Sequence, residues 1–528
     1  MPMLTDHVMN VTKTPQGPGP LTAGRTQSTM TKSKAKKRKQ TAQAELPRKA
    51  PKTATSTAIT PPDSGDDNVA ALEPKSIQTV ISEEELDIAV ETLNTLAKYP
   101  NLIKLKQCRD LRVAVYEFRQ NCASGLNNAP GTNLGLTARI TGALADEKYD
   151  DARVLLAEMR IRGQEPKLGA LCRWVRDLDV ISGLSTIPEG EGDGVVAQRS
   201  ERDKQRLLTL DAVLRACGHS DSNPKAMPLP LSSTPGIALQ ETWDLRPSAP
   251  PQQVYASVLD KTIFESAPEK LAASLRVIER TSGPLRKPPN HHDALLYTTA
   301  PNTIPLTAER PPATLHSHPV VPGLSLLKDV LSPDECKAII AAGETVNFLP
   351  DAPLREDGDI SILAHNFYWV VDTAFHDALW ARVSSFVPTS VGGRAVRGLN
   401  RRFRVYRYVP GAEYRAHIDG AWPPSGILPD DTYVYDASPE GKAQSSLFTF
   451  LIYLNDEFEG GETTYFLPGA REGTLNAYPV RPVMGGVAMF PHGDARDAPL
   501  HEGTGVRKGA KYVIRTEVEY DVNPCEEA

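Results

Sequence analysis

The sequence predicts an α+β protein. A β-sandwich or barrel is expected over residues 315–522, a small α-helical domain ahead of it, and a disordered basic tail at the front. Three observations lead there. Between Arg402 and Arg515 the chain breaks into short, alternating, β-rich runs separated by Gly, Pro and Asp. From Ser82 onward apolar residues recur at helical spacing. The first 58 residues hold eleven Lys and Arg against only Asp6 and Glu45, with few large apolar side chains. The expected boundaries are 1–75 for the tail, 76–182 for the helical domain, 183–314 for a helical and proline-rich linker, and 315–522 for the β domain, whose core motifs span 399–521.

In the tail, Lys32-Ser33-Lys34-Ala35-Lys36-Lys37-Arg38-Lys39, followed by Arg48, Lys49 and Lys52, reads as a nuclear localisation signal or as a solvated basic tail with loose affinity for nucleic acid. Residues 1–20 lack the apolar core of a secretory signal, and no stretch approaches 18 apolar residues, so no membrane segment is expected. Cys108, Cys122, Cys172, Cys217, Cys336 and Cys525 are scattered without paired metal spacing, as in a reducing compartment. The expected location is nucleus, cytoplasm or both.

Ser82-Glu83-Glu84-Glu85 forms a capping box, and Leu86, Val90, Leu93 and Ala97 continue a helical stripe. A second helix is expected over 102–119. Residues 136–170 resemble one pentatricopeptide repeat, a helical hairpin that would bind RNA or a protein partner. Because repeats need stacked neighbours and no tandem copy is visible, an ordinary αα-hairpin is the favoured reading. Further on, 200–217 and 252–280 read as helical, 227–251 and 283–312 as proline-dense linker.

In the β domain, Arg402–Val409, Phe448–Leu454, Glu462–Phe466, Val487–Phe490 and Ala510–Arg515 read as strands. His417-Ile418-Asp419 follows the first of them, and His501 lies 82 positions after Asp419. If 414–419 is extended, His417 and Asp419 point the same way, and two imidazoles with one carboxylate can hold one face of an iron(II) ion. Lys511 and, four residues on, Arg515 share a strand face and are the two candidates to meet a buried carboxylate. Gly420–Ser445, carrying Trp422, Tyr433 and Tyr435, reads as a lid over substrate, or as a surface loop pinned by its aromatics.

The string Tyr408-x-x-Gly411-x-x-Tyr414-x-x-His417-x-Asp419, with Tyr453-Leu454-Asn455, Gly460-Gly461-Glu462-Thr463, Pro491-His492-Gly493-Asp494, His501 and Gly509-x-Lys511-Tyr512, resembles the iron(II)- and 2-oxoglutarate-dependent dioxygenases, in the branch similar to prolyl 4-hydroxylase catalytic domains of fungal and plant type. The resemblance runs from about Pro322 to Tyr520. It implies a double-stranded β-helix (jelly roll), His417, Asp419 and His501 as iron ligands, and Lys511 opposite the distal carboxylate of 2-oxoglutarate. Tyr408 and Tyr453 would offer hydroxyls to that cosubstrate, or serve as strand packing. O2 is the second cosubstrate, and ascorbate an expected supporting reductant.

The leading reading is hydroxylation of an unactivated C–H bond in a protein side chain, proline first, with succinate and CO2 as co-products. A nucleic-acid oxygenase or demethylase is the alternative; the Arg-x5-Arg pair usual after the last histidine in that branch is missing, since Arg507 and Arg515 are eight apart. A non-catalytic scaffold on the same fold is the third reading, against which the retained ligand set and Lys511 speak. Glu462 and His492 are read as making structural hydrogen bonds.

Overall fold

The computed structural model describes residues 81–115, 118, 135–182, 199–218, 220–248, 250–286, 289–352, 364–495 and 497–524. The basic tail and its Lys-rich cluster lie outside the described residues. The chain divides into two units, Met1–Thr95 and Leu96–Ala528. Described residues of the first belong mainly to helix α1 (Glu83–Ala97), where the expected capping box forms: Glu85 N–H donates to Ser82 Oγ at 3.2 Å and Ser82 N–H to Glu85 Oε2 at 3.0 Å.

The second unit opens with helical pieces at Pro100–Ile103 and Lys106–Cys108, and residues 109–115 and 118 are helical, so the helix expected over 102–119 is present with a broken start. Four helices follow, α2 (Leu136–Ala145), α3 (Tyr149–Ile161), α4 (Leu168–Asp177) and α5 (Glu201–Cys217), the last capped by Ser200, whose Oγ accepts Asp203 N–H. Two further helices, α6 (Pro333–Val346) and α7 (Thr373–Val383), flank the β domain; α6 begins with a full capping box between Ser332 and Glu335. No described helix is long and apolar enough to cross a membrane.

Two sheets face one another. The smaller runs β1 (Gly236–Leu239), β12 (Thr474–Val480), β11 (Thr463–Pro468), β14 (Leu500–Gly503), β9 (Tyr414–His417). The larger runs β2 (Arg276–Thr281), β3 (Ala294–Thr298), β6 (His365–Val370), β8 (Arg402–Tyr408), β15 (Lys511–Asp521), β10 (Gln444–Tyr453), β13 (Val487–Pro491), β5 (Ser325–Lys328), β4 (Thr314–Ser317), with β7 (Arg394–Leu399) also on β15. Alternation along the strands sorts side chains into separate cores. In β8, β10 and β15 the set Phe403, Val405, Phe448, Phe450, Ile452, Tyr512 and Ile514 packs outward against α6 and α7. Their alternate neighbours Tyr406, Tyr408, Leu451, Tyr453 and Val513 face inward toward Tyr465, Leu467, Tyr478 and Val480 of the small sheet. This two-sheet jelly roll is the fold the sequence predicts.

The small sheet's outer face is covered by α2–α5. Ile140, Leu156, Trp174, Leu207 and Leu210 share one core with Ala416, Ile418, Phe466, Leu475 and Leu500. The hairpin of α2 and α3 therefore buries its face on the helices α4 and α5 and on the small sheet, without a stacked second repeat among the described residues. Residues expected as linker also enter the fold. β1 pairs in parallel with β12, Val254, Ile263 and Leu271 join the core under α6, and 276–281, expected as the end of a helical stretch, is strand β2 paired to β3. Tertiary pairing prevails here over local helix preference. Strands β4 to β7, β12 and β14 are not among those the sequence predicts.

Candidate metal centre

β9 and β14 pair antiparallel with His417 directly opposite His501, which sets the two imidazoles side by side, ring centroids 4.4 Å apart. The β9 ladder ends at His417, so Asp419 reaches the pair from just beyond the strand. Its carboxylate lies 3.2 Å (Oδ1) from His417 Nε2 and 3.6 Å (Oδ2) from His501 Nε2. One donor atom from each of the three residues fits within 4.8 Å of the others, the one such cluster among the described residues. His417 Nδ1 is 2.7 Å from the Arg415 carbonyl and His501 Nδ1 3.1 Å from the Pro499 carbonyl. A carbonyl only accepts, so both Nδ1 atoms carry the proton and both Nε2 lone pairs are left for the centre. Burial, with His417 alongside, pushes the His501 imidazole down to about 3, so it is neutral and ligand-ready. Burial alone would raise Asp419; Arg515, His417 and His501 outweigh it and hold the carboxyl well below the usual range.

Asp419 is fixed from behind by a chain of bonds whose direction is determined. Its Oδ2 only accepts, so Thr449 Oγ1–H donates to it at 2.6 Å. Thr449 Oγ1 has then spent its proton and accepts His492 Nδ1–H at 2.7 Å. Burial drives His492 down to about 3, leaving Nε2 bare to accept Ser446 Oγ–H at 2.8 Å, while Ser446 Oγ accepts the Trp422 amide at 2.9 Å. His492 thus makes hydrogen bonds of the structural kind expected, and they end on a ligand candidate. Glu462 likewise serves structure, ion-paired to Arg481 and accepting Thr504 Oγ1–H at 2.9 Å.

A pocket opens from this cluster between the sheets. Tyr406, Tyr408, Thr463, Lys511 and Arg515 line it with the His417, Asp419 and His501 side chains. Lys511 is 3% exposed and has no hydrogen-bond partner among the described residues; its Nζ lies 5.5 Å from the Tyr408 ring and 5.8 Å from that of Tyr453. Burial brings this ammonium down to about 7 despite Glu462 nearby. Close packing around it requires Gly461, with φ +68°, because a Cβ there would meet the Phe458 ring at 2.8 Å and Lys511 Cδ at 3.3 Å. Arg515, the other candidate cation, reaches a different place: its Nη2 is 3.2 Å from Asp419 Oδ1 and 3.5 Å from Glu517 Oε1. The two cations on β15 are therefore separated, one at the cluster and one at the far wall.

Tyr408 lines the pocket wall, and the Tyr453 hydroxyl bonds Thr463 Oγ1 at 2.9 Å. Tyr406, whose buried hydroxyl has no partner, was missed in the sequence although the spacing Arg402, Arg404, Tyr406, Tyr408 places it on the same strand face. Of the 420–445 loop, Trp422 and Tyr435 line a second pocket that Arg515 shares, and Tyr433 Oη sits 3.0 Å from Ser425 Oγ.

A model of the 2OG-Fe(II) oxygenase superfamily matches residues 403–516. No curated protein matches the chain. Among solved structures, the chain is similar to a viral collagen prolyl hydroxylase from Paramecium Bursaria Chlorella virus-1 solved as a 2OG complex, at 18% identity over 38% of this chain and 97% of that one, TM-score 0.25. It is also similar to a Trichoplax adhaerens prolyl hydroxylase in complex with a hypoxia inducible factor peptide fragment, at 15% identity over 37% and 83%, TM-score 0.26. A Pseudomonas putida prolyl-4-hydroxylase follows at 17% identity over 37% and 91%, TM-score 0.23. Residues 403–516 form a 2OG-Fe(II) oxygenase superfamily domain, of the 2-oxoglutarate-dependent dioxygenase class.

Proposed function

We propose that His417, Asp419 and His501 hold Fe(II), that Lys511 receives the distal carboxylate of 2-oxoglutarate, and that the enzyme hydroxylates an unactivated C–H bond of a protein side chain, proline being the leading residue. The carrying observation is the convergence of two bare Nε2 atoms and one ionised carboxylate beside a pocket whose far wall holds a buried, unbonded ammonium. Two imidazoles and a carboxylate suit iron(II) and leave open positions for cosubstrate and O2. Bound there, iron with 2-oxoglutarate and O2 supplies the oxidation, with succinate and CO2 as co-products.

The residues of the chain do the positioning. Thr449 holds one oxygen of Asp419, so the carboxylate presents the other. Lys511 lies four residues along the strand from Arg515, opposite Tyr408, whereas Arg515 already touches Asp419 and is too near the ligands for the distal end. The aromatic walls Tyr406, Tyr408 and Phe490 exclude water. Trp422, Tyr433 and Tyr435 belong to a loop that grips substrate. Proline as target rests on the motif resemblance. Ascorbate as a reductant that keeps the iron ferrous, and nuclear as well as cytoplasmic placement through the basic cluster at 32–39, complete the proposal.

Anaerobic reconstitution with Fe(II) and 2-oxoglutarate, followed by O2 and cell-extract peptides, tests it. Succinate formation coupled to a gain of one oxygen atom on a peptide prolyl residue is expected. Oxygen transfer only to nucleic acid, or none to any macromolecule, contradicts the protein-hydroxylase reading.

A further inference from the structure

The second pocket adjoins the metal centre and shares Arg515 with it. Arg402, Arg404 and Arg515 rise from the inward face of β8 and β15, and Trp422 and Tyr435 close it from the 420–445 loop, with Tyr368 of β6 beneath. Arg402 is clamped between rings, its guanidinium carbon 4.7 Å from the centre of Tyr368 and 5.5 Å from that of Trp422. Rings orient a guanidinium without neutralising it. Arg402 has no carboxylate within 4 Å among the described residues, and its buried Nε lacks a hydrogen-bond partner. Arg515 has its charge balanced, but its Nε and Nη2 also make no hydrogen bond. Two of the arginines that line this small cavity therefore carry buried N–H donors without a hydrogen bond, which is costly unless something accepts from them.

The surrounding charges point to the sign of that acceptor. Asp351 sits 2.5 Å from Arg404 but also takes Arg286 at 2.9 Å, so one carboxylate answers two guanidinium groups. Glu517 is the one acidic residue lining the pocket itself. Glu519, next on the same strand face, is pushed up to about 9 by burial and is protonated at neutral pH. Asp419, the other neighbour of Arg515, is engaged by the metal once the centre is loaded. A cationic or purely apolar group would leave the donors unpaired, whereas a carboxylate accepts from a guanidinium fork with two oxygens at once.

We propose that this pocket binds a carboxylate carried by the substrate, so that the enzyme selects acidic peptides, with Arg402 as the specificity-determining residue. The inference rests on the protein-hydroxylase reading above. The carboxylate comes either from an Asp or Glu side chain flanking the oxidised residue or from a free chain terminus.

The test measures binding without turnover. The full chain, loaded with Zn(II) and 2-oxoglutarate, is titrated calorimetrically with proline-centred peptides whose flanking positions carry Asp, Asn or Lys, each with a free or an amidated C-terminus. Asp peptides, or in the other case only the free-terminus peptides, should bind at least about tenfold tighter than neutral or Lys ones, the scale of a charge-assisted hydrogen bond. Arg402→Gln should erase that advantage, and Arg402→Glu should pass it to the Lys peptides. Metal and 2-oxoglutarate uptake, measured on every variant, reports folding. Equal affinity across the charge series in the wild type overturns the proposal without recourse to any variant. So does a failure of all peptides to bind while metal and 2-oxoglutarate do. Failure of the wild type to take up metal or 2-oxoglutarate would instead remove the centre on which the inference rests.

Discussion

Lys511 is an ammonium the fold has buried with tyrosine rings around it and no hydrogen-bonded anion, and in the proposed function a dicarboxylate cosubstrate would supply what is missing. Lys511→Ala should raise the 2-oxoglutarate concentration needed for half-maximal turnover by about two orders of magnitude, the scale of a lost buried charge pair. Lys511→Arg should recover part of it, because a planar fork does not match a space shaped for a compact ammonium. Arg515→Ala should cost much less in cosubstrate affinity, and a larger rise for that variant would place the anchor at Arg515. The sign of the pH dependence follows from the same burial. With its value brought down to about 7, Lys511 is charged below that pH and neutral above it. Cosubstrate affinity is therefore full on the acid side and should weaken about tenfold per unit as pH rises beyond 7, a slope that Lys511→Arg should flatten. His492 gives a second residue-scale test. Gln can donate to Thr449 and accept from Ser446 as the imidazole does, whereas Phe can do neither. His492→Phe should weaken Fe(II) binding about 10- to 100-fold, with His492→Gln much closer to wild type. Equal Fe(II) affinity in both variants would show that the relay does not position Asp419.

At the scale of elements, β9 and β14 bring the two histidines together, and α4 holds β9 from outside. Cys172 Sγ–H on α4 lies 3.5 Å from the Ile418 carbonyl, Ser182 Oγ accepts Ala416 N–H at 2.8 Å, and Asp179 pairs with Arg415 at 3.1 Å. Trp174, 1% exposed, anchors that helix and donates to Thr141 Oγ1 at 2.9 Å. Trp174→Ala should lower stability by about 3–5 kcal/mol in denaturant unfolding, and Fe(II) affinity with it; unchanged metal affinity in the folded variant would mean the helix supports the core but not the site. Elements of this kind mark how far the sequence could be read. Strands around Arg402–Tyr408, Gln444–Tyr453 and Lys511–Asp521 were legible because alternation and turn residues are local signals. His417 and Asp419 were legible from their i, i+2 spacing, but their meeting with His501 across a ladder was not, because β14 is four residues long with Pro499 just before it. Thr449 and Ser446 could not be picked out at all, since their role depends on three-dimensional pairing with His492 and nothing in their spacing shows it. Tyr406 and Arg402 could have been found by carrying the same alternation two and six residues back from Tyr408.

For the molecule as a whole, the helical stretch and the segment once expected as linker are built into the unit from Leu96 onward. A chain cut to 315–528 would lose β1, β2 and β3 and expose Phe466, Leu475 and Leu500 on the outer face of the small sheet. It should be recovered as aggregate, while one beginning at residue 96 should be soluble and bind metal; a soluble, metal-binding 315–528 chain would show that the helices are an independent attachment. The central claim is that His417, Asp419 and His501 form one iron centre that takes 2-oxoglutarate. It is tested most directly by anaerobic titration of Fe(II) into the 2-oxoglutarate-loaded full chain, followed by the visible charge-transfer absorption of the iron–2-oxoglutarate chelate. The wild type should saturate at one iron per chain, and His417→Ala and His501→Ala should each abolish the band while keeping the wild-type circular dichroism spectrum. A wild-type band and wild-type succinate production in either alanine variant would contradict the account.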